Sequence, residues 1–249
     1  MSNFKIIVAN WKMNPSIFEG IELLKSINQS IVRKKISSKI VICPPSLIIR
    51  DAIRIFSNSS ISVGSQDCHY AQIGPFTGDL SYKMFEDIGC EYSIIGHSER
   101  RANHFESNKL IFEKLNSLNK SKIMPILCVG ESFDEKNSGK ASEAVIRQIN
   151  ESGINELEFK QKIIAYEPIW AIGSGKTPTK DEIMTIHGKI REKLNSKPNS
   201  NNIKVLYGGS VNVENASDIF SIKGVDGALI GGASLKQADF IKIIESVKI

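Results

Sequence analysis

Eight short apolar runs punctuate the chain: Lys5–Ala9, Lys39–Ile42, Ile61–Val63, Tyr92–Ile95, Met124–Val129, Ile163–Tyr166, Val205–Tyr207 and Gly227–Ile230. They do not alternate apolar with polar residues. Strands of a parallel sheet read this way, because helices cover both of its faces. Between the runs, apolar residues recur at three- and four-residue spacing, the mark of a helix with one buried face. Ile17, Ile21, Leu24, Ile27 and Ile31 form one such stripe. Ile111, Leu115 and Leu118 form a second, Ile183, Ile186, Ile190 and Leu194 a third, and Phe240, Ile243, Ile244 and Val247 a fourth. Two helix starts carry a capping box, Ser16 with Glu19 and Thr179 with Glu182,. Strand and helix alternating eight times predict an α/β chain, a single-domain (β/α)8 barrel over residues 1–249,. The alternative, a doubly wound open sheet, usually carries G-x-G-x-x-G after its first strand, where this chain has Asn10-Trp11-Lys12,. No linker or low-complexity tract divides the chain, and polar Asn195–Asn202 reads as a surface loop.

Composition adds boundaries. A length of 249 residues, 41% hydrophobic, suits one large domain,. No apolar run approaches the roughly 20 residues of a membrane helix, and Ile6–Ala9 is too short for a signal core, so a cytoplasmic protein is expected. Cys43, Cys68, Cys90 and Cys128 are widely spaced and form no C-x-x-C pair, which favours reduced thiols over a disulfide framework or a zinc site,. The formal charge is +5, but the basic residues are scattered and the longest run is Arg33-Lys34-Lys35. That is a weak signal for nucleic acid and is equally compatible with a mild field attracting a small anion.

The unusual residues follow the apolar runs. Asn10 and Lys12 come after the first, His97 after the fourth, Glu167 after the sixth, Gly208-Gly209-Ser210 after the seventh and Gly231-Gly232 after the eighth. In a barrel all of these reach the C-terminal mouth, where active sites sit. Most glutamates are solvated. Glu167, at the end of an inner strand, instead points into the mouth, where desolvation raises its basicity and suits it to take a proton from carbon next to a carbonyl. A lone histidine is more often a satisfied polar residue. His97, however, precedes what reads as a helical turn at Ser98-Glu99-Arg100, and a helix N-terminus favours the neutral imidazole. In that form it donates a hydrogen bond to a carbonyl and to the enediolate that follows. Lys12 is placed to balance a phosphate dianion, with Asn10 beside it. His69, His104 and His187 have no comparable setting and read as structural or surface residues.

The two Gly-Gly turns stand in the loops after strands seven and eight, the usual phosphate site of a barrel. Gly173-Ser174-Gly175-Lys176-Thr177 suggests a P-loop, but G-x-x-x-x-G-K-[ST] requires glycine where Trp170 stands,. A lid fits better, with small residues at its tip between Pro168-Ile169-Trp170 and Lys176-Thr177-Pro178.

Together these segments resemble the triosephosphate isomerase family. The resemblance rests on Asn10-Trp11-Lys12-Met13-Asn14, Gly96-His97-Ser98-Glu99-Arg100-Arg101, Ala165-Tyr166-Glu167-Pro168-Ile169-Trp170-Ala171-Ile172-Gly173, Tyr207-Gly208-Gly209-Ser210-Val211 and Gly231-Gly232-Ala233-Ser234-Leu235. It runs in the family's order from about Lys5 to Leu235. It implies a TIM barrel that interconverts dihydroxyacetone phosphate and glyceraldehyde 3-phosphate, without metal or organic cofactor, in glycolysis and gluconeogenesis. By the same resemblance Glu167 is the base, His97 shuttles protons on the oxygens, and Lys12 stabilises negative charge. Asn10 lies in the substrate site, and Gly173, Ser210, Gly231 and Gly232 hold the phosphate. Glu99 and Ser98 stand behind the catalytic residues, and Cys128 is buried nearby. A homodimer is implied through the loop Asp67–Asp79, with Thr77 near the partner's site. Three residues depart from the family's habit: Ser174 in the lid, Asp67 where asparagine is frequent, and Met13 after Lys12.

Two rival readings remain at this stage. A Schiff-base aldolase or another sugar-phosphate barrel needs a lysine within an inner strand, and none is convincingly placed. A non-catalytic barrel predicts erosion of the acid–base set, whereas Glu167, His97 and Lys12 are all present. Fold alone does not decide between them; the site does.

Overall fold

A computed structural model describes residues 4–171, 177–195 and 202–247. Eight parallel strands close into a barrel in chain order: β1 Ile6–Asn10, β2 Lys39–Cys43, β3 Ile61–Ser65, β4 Tyr92–Ile95, β5 Met124–Val129, β6 Lys162–Tyr166, β7 Ile203–Tyr207 and β8 Gly227–Ile230. The last pairs with the first, Ile6 opposite Gly227. The helices that bear on the site are α1 Ile17–Val32, α2 Ile49–Ile55, α3 Tyr82–Ile88, α4 Ser98–Asn103, α5 Asn108–Leu118, α6 Phe133–Asn137, α7 Ala141–Glu151, α8 Lys180–Asn195, α9 Ala216–Ser221 and α10 Gln237–Glu245. Among the described residues no helix is long and apolar enough to cross a membrane.

Side chains on a strand alternate between its faces, and here that alternation divides the core in two. Ile6, Val8, Val41, Ile94, Ile126, Cys128, Ile163, Ala165, Leu206 and Leu229 fill the barrel interior. Ile7, Ala9, Ile40, Ile42, Ile95, Leu127 and Ile164 meet the helices. Asn10 shares the inward parity of Ile6 and Val8, and Glu167 that of Ile163 and Ala165. Both therefore open into the mouth. Directly after β4, Gly96 at φ 69° interrupts the alternation, and a Cβ there would lie 2.7 Å from Ile111 Cδ1. That left-handed turn brings His97 to the rim.

Both expected capping boxes form. A third, Ser132 with Glu135, opens α6. The stripe on α1 differs from expectation at one end. Ile17 is exposed, and Gly20 holds the buried position, where a Cβ would stand 2.6 Å from Ile48 Cδ1. His187, expected to be structural or superficial, is fully buried, with Nδ1 3.1 Å from the Gly224 carbonyl. Burial pushes its pKa down to about 4, so it stays neutral. Most of the expected loop at Asn195–Asn202 lies outside the described residues, as does the lid tip at Ile172–Lys176 with Gly173 and Ser174.

Candidate active site

The mouth holds a cavity of about 520 Å³ whose walls include Asn10, Lys12, His97, Glu99, Glu167, Ser210, Gly231 and Gly232. Every site residue expected from the sequence and described by the structure, except Ser98 behind the wall, is thus gathered on one surface.

Glu167 is 2% exposed and is held from both sides. Its backbone N–H donates to Val129 O at 2.8 Å, continuing the β5–β6 ladder. Its carbonyl passes so close to Gly130 that a Cβ there would lie 1.7 Å from the oxygen. Only glycine fits at that position, a constraint the sequence alone did not announce. One carboxylate oxygen accepts the Ser98 N–H at 3.0 Å, and the other stands 2.9 Å from His97 Nε2.

His97 caps α4, its Nδ1 accepting the Glu99 N–H at 3.2 Å. With the Nδ1 lone pair so engaged, the ring proton sits on Nε2 and points at Glu167. Burial disfavours charging the ring. That is the largest single effect, but the charge and hydrogen bond of Glu167, together with the Glu99 carboxylate, outweigh it, so the proton affinity of His97 rises above its ordinary value. The neutral imidazole expected from the helix N-terminus is therefore promoted by the Glu99 N–H and opposed by Glu167, as long as the two side chains touch.

Lys12 continues β1 in a left-handed conformation, φ 54°, rare for a residue with a side chain,. Asn10 Oδ1 accepts its N–H at 3.1 Å, and Gln66 Nε2 donates to its carbonyl at 2.9 Å. Its ammonium pairs with Glu99 at 2.6 Å. Glu99 thus bridges Lys12 and the helix that His97 caps. Cys128, fully buried, sits against Glu167; burial first, and then that carboxylate, hold its thiol protonated.

Two partly buried clusters escaped sequence reasoning because their members are distant along the chain. Glu131 is 1% exposed and accepts from Tyr166 Oη at 3.1 Å and Trp170 Nε1 at 2.6 Å, while Lys136 lies over the Trp170 ring. It anchors Trp170, just beyond the end of β6. The second cluster contains Asp67. Lys114, almost fully buried, donates to Asp67 at 2.7 and 2.9 Å and to Glu106 at 2.6 Å. Arg100 completes the set at 2.9 Å from Asp67 and 2.6 Å from Glu106. Two cations face two carboxylates. With asparagine at position 67 the cluster would hold one uncompensated positive charge.

A second cavity, about 540 Å³, adjoins the first at Lys12 and Glu99 and extends past Met13, Gln66 and His104. Beyond it the loop Asp67–Asp79 is stiffened by His69, whose ring lies 4.3 Å from that of Tyr70 and 4.1 Å from that of Phe76. The loop leaves Thr77 exposed and Ile73 89% exposed.

The family model described as triosephosphate isomerase matches residues 5–247. The chain is 39% identical to the triosephosphate isomerase of Xanthobacter flavus over 246 residues, 97% of each chain. It is 36% identical to that of Chlorobium phaeobacteroides (strain BS1), covering 97% of this chain and 98% of the relative. It is 38% identical to that of Porphyromonas gingivalis (strain ATCC 33277), again covering 97% of this chain and 98% of the relative. A closed eight-stranded barrel with this constellation at its mouth, matched almost end to end, belongs to the triosephosphate isomerase family.

Proposed function

We propose that Glu167, His97 and Lys12 carry out the family's interconversion of dihydroxyacetone phosphate and glyceraldehyde 3-phosphate by a proton relay through an enediolate. The observation that carries this reading is the buried contact of 2.9 Å between Glu167 and His97, facing a cavity that Lys12 also lines. Starting from the ketose, Glu167 takes a proton from the hydroxyl-bearing carbon, and His97 Nε2–H donates to the carbonyl oxygen, so that charge does not accumulate there. Glu167 then returns its proton to the neighbouring carbon. His97 recovers the proton of the other hydroxyl, and the aldose forms with nothing gained or lost.

In the substrate-free arrangement both Glu167 oxygens are occupied, by Ser98 N–H and by His97. Substrate entry must part them. Once the carboxylate has left, burial and the Glu99 N–H favour the neutral imidazole that a hydrogen-bond donor requires. Ser210, Gly231 and Gly232 line the far wall, where they suit the phosphate. Gly173 shares that role by resemblance and lies outside the described residues. The phosphate takes no part in bond making, so its binding energy is free to organise the site. The direct test is proton NMR in deuterated water with chelator and dihydroxyacetone phosphate but no added cofactor. Deuterium at carbon is expected to enter and accumulate over repeated turnovers, through exchange of the Glu167 proton with solvent; substrate and product left without deuterium at carbon after full equilibration would sink the enediolate route.

We further propose a cytoplasmic homodimer in which the loop Asp67–Asp79 enters the partner's second cavity and brings Thr77 near its site. The exposed apolar Ile73 at the loop's tip and the cavity beside Lys12 support it. Since Ile73 is 89% exposed, Ile73→Lys leaves the protomer fold unstrained. Sedimentation is expected at twice the chain mass for wild type and at the single-chain mass for the variant at micromolar concentration. A wild-type monomer would refute the assembly.

A further inference from the structure

Arg101 is a half-buried cation that the proton relay leaves unused. The two arginines that follow Glu99 reach to different neighbours. Arg100 joins the Asp67, Glu106 and Lys114 cluster, whereas Arg101 turns towards the barrel. Its Nε donates to Gly96 O at 2.8 Å, Nη2 to Cys128 O at 3.1 Å and Nη1 to Asn108 Oδ1 at 2.6 Å. All three acceptors are neutral oxygens. Drawing a permanent charge partly out of water against such partners is costly, so the placement calls for an explanation.

The acceptors supply one. The Gly96 carbonyl belongs to the peptide that leads into His97. Cys128 ends the neighbouring strand but one residue, and its thiol touches Glu167. A guanidinium presents its N–H groups in a rigid plane, so it holds two carbonyls at a set separation, which a single ammonium cannot do. We propose that Arg101 is a positioning residue of the isomerase: it ties the end of β4 to the end of β5 and so sets the His97 ring against Glu167. Asn108, at the start of α5, holds the fork at its third corner. This inference rests on the assignment of Glu167 and His97 as the reacting pair. It does not involve the phosphate side, which belongs to Lys12 after β1 and to the loops after β7 and β8.

The test measures kcat, KM for dihydroxyacetone phosphate, inhibition by inorganic phosphate, and ¹⁵N NMR shifts of the His97 ring, in wild type, Arg101→Lys and Asn108→Ala. Arg101→Lys keeps the charge and loses the fork. Because misplacing reacting groups by about 1 Å costs on the order of 10²-fold, a partial loss of registry is expected to lower kcat by at least ~10-fold. KM and phosphate inhibition should stay within a factor of about two, since the interactions lost act on the reacting atoms and not on binding. The His97 ring shifts should move. A purely structural role would lower the melting temperature and leave kcat and the ring shifts unchanged, which overturns the proposal. If Arg101→Lys does not fold, Asn108→Ala decides: it frees one corner of the fork, a smaller fall in kcat at constant KM is expected, and an unchanged kcat overturns the proposal. Glu167→Gln run in parallel separates the two levels. If it stays active, the assignment of the base fails; if it is inactive while both other variants turn over normally, only the positioning role falls.

Discussion

Glu167→Asp is expected to fold like the wild-type chain and to turn over about 10²-fold or more slowly, because the carboxylate retreats by ~1 Å. The backbone that positions residue 167 is untouched: its N–H still meets Val129 O, and its carbonyl still lies against Gly130. The packing loss is one methylene in a site that opens to a cavity, which costs about 1 kcal/mol of stability or less. The carboxylate does not hold the phosphate, so KM should move little while kcat falls, the signature of an interaction made with the reacting atoms. A steady-state assay alongside a melting curve checks both halves, and near-wild-type turnover would remove Glu167 as the base. Glu167→Gln adds a sign test on His97. The nearby carboxylate is what raises that ring's proton affinity against the opposing effect of burial. With an amide in its place burial, the largest effect, is opposed by the Glu99 carboxylate but no longer by Glu167, and ¹⁵N NMR should find His97 titrating at lower pH than in the wild-type enzyme.

The strand parity that delivers these groups was readable in the chain. Ile163, Ala165 and Glu167 alternate with Ile164 and Tyr166, and a period of two decides which side chains reach the barrel interior. The eight runs were visible because strands buried on both faces contain almost nothing else. Helices such as α2, I-R-D-A-I-R-I, and six-residue α9 were less legible, since a stripe needs several turns to stand out from chance,. Within the site, what was legible came in contiguous motifs. Glu131 with Trp170, Asp67 with Lys114, and Arg101 with the Cys128 carbonyl were not, because tertiary packing joins residues that no spacing rule connects. Asp67 shows the difference. Read along the chain it was a departure from the family's habit; in the fold it pairs with two cations within a partly buried set of four charges.

Lys12→Met carries the second large expected effect, on the binding side of the reaction as well as the chemical one. Methionine keeps most of the stem and meets the same left-handed backbone, so strain at φ 54° is common to both residues and does not confound the comparison. On the proposed reading, what disappears is one positive charge beside a phosphate dianion and a developing oxyanion. At about 4 Å a unit pair is worth roughly 1 kcal/mol in water and 4 kcal/mol at the effective dielectric of a protein surface, so kcat/KM should fall by about 10- to 10³-fold. Glu99 deepens the loss. It lines the same cavity and pairs with Lys12 at 2.6 Å in the free enzyme, and without that partner its carboxylate repels the incoming anion. KM should therefore rise and kcat fall together, in contrast to Glu167→Asp. Inhibition by inorganic phosphate should weaken, and the dependence of kcat/KM on ionic strength should flatten, because a screened attraction has been removed. Lys12→Met with Glu99→Gln should recover part of the lost binding without restoring turnover. Unchanged phosphate inhibition in Lys12→Met would place the ammonium outside the substrate's reach.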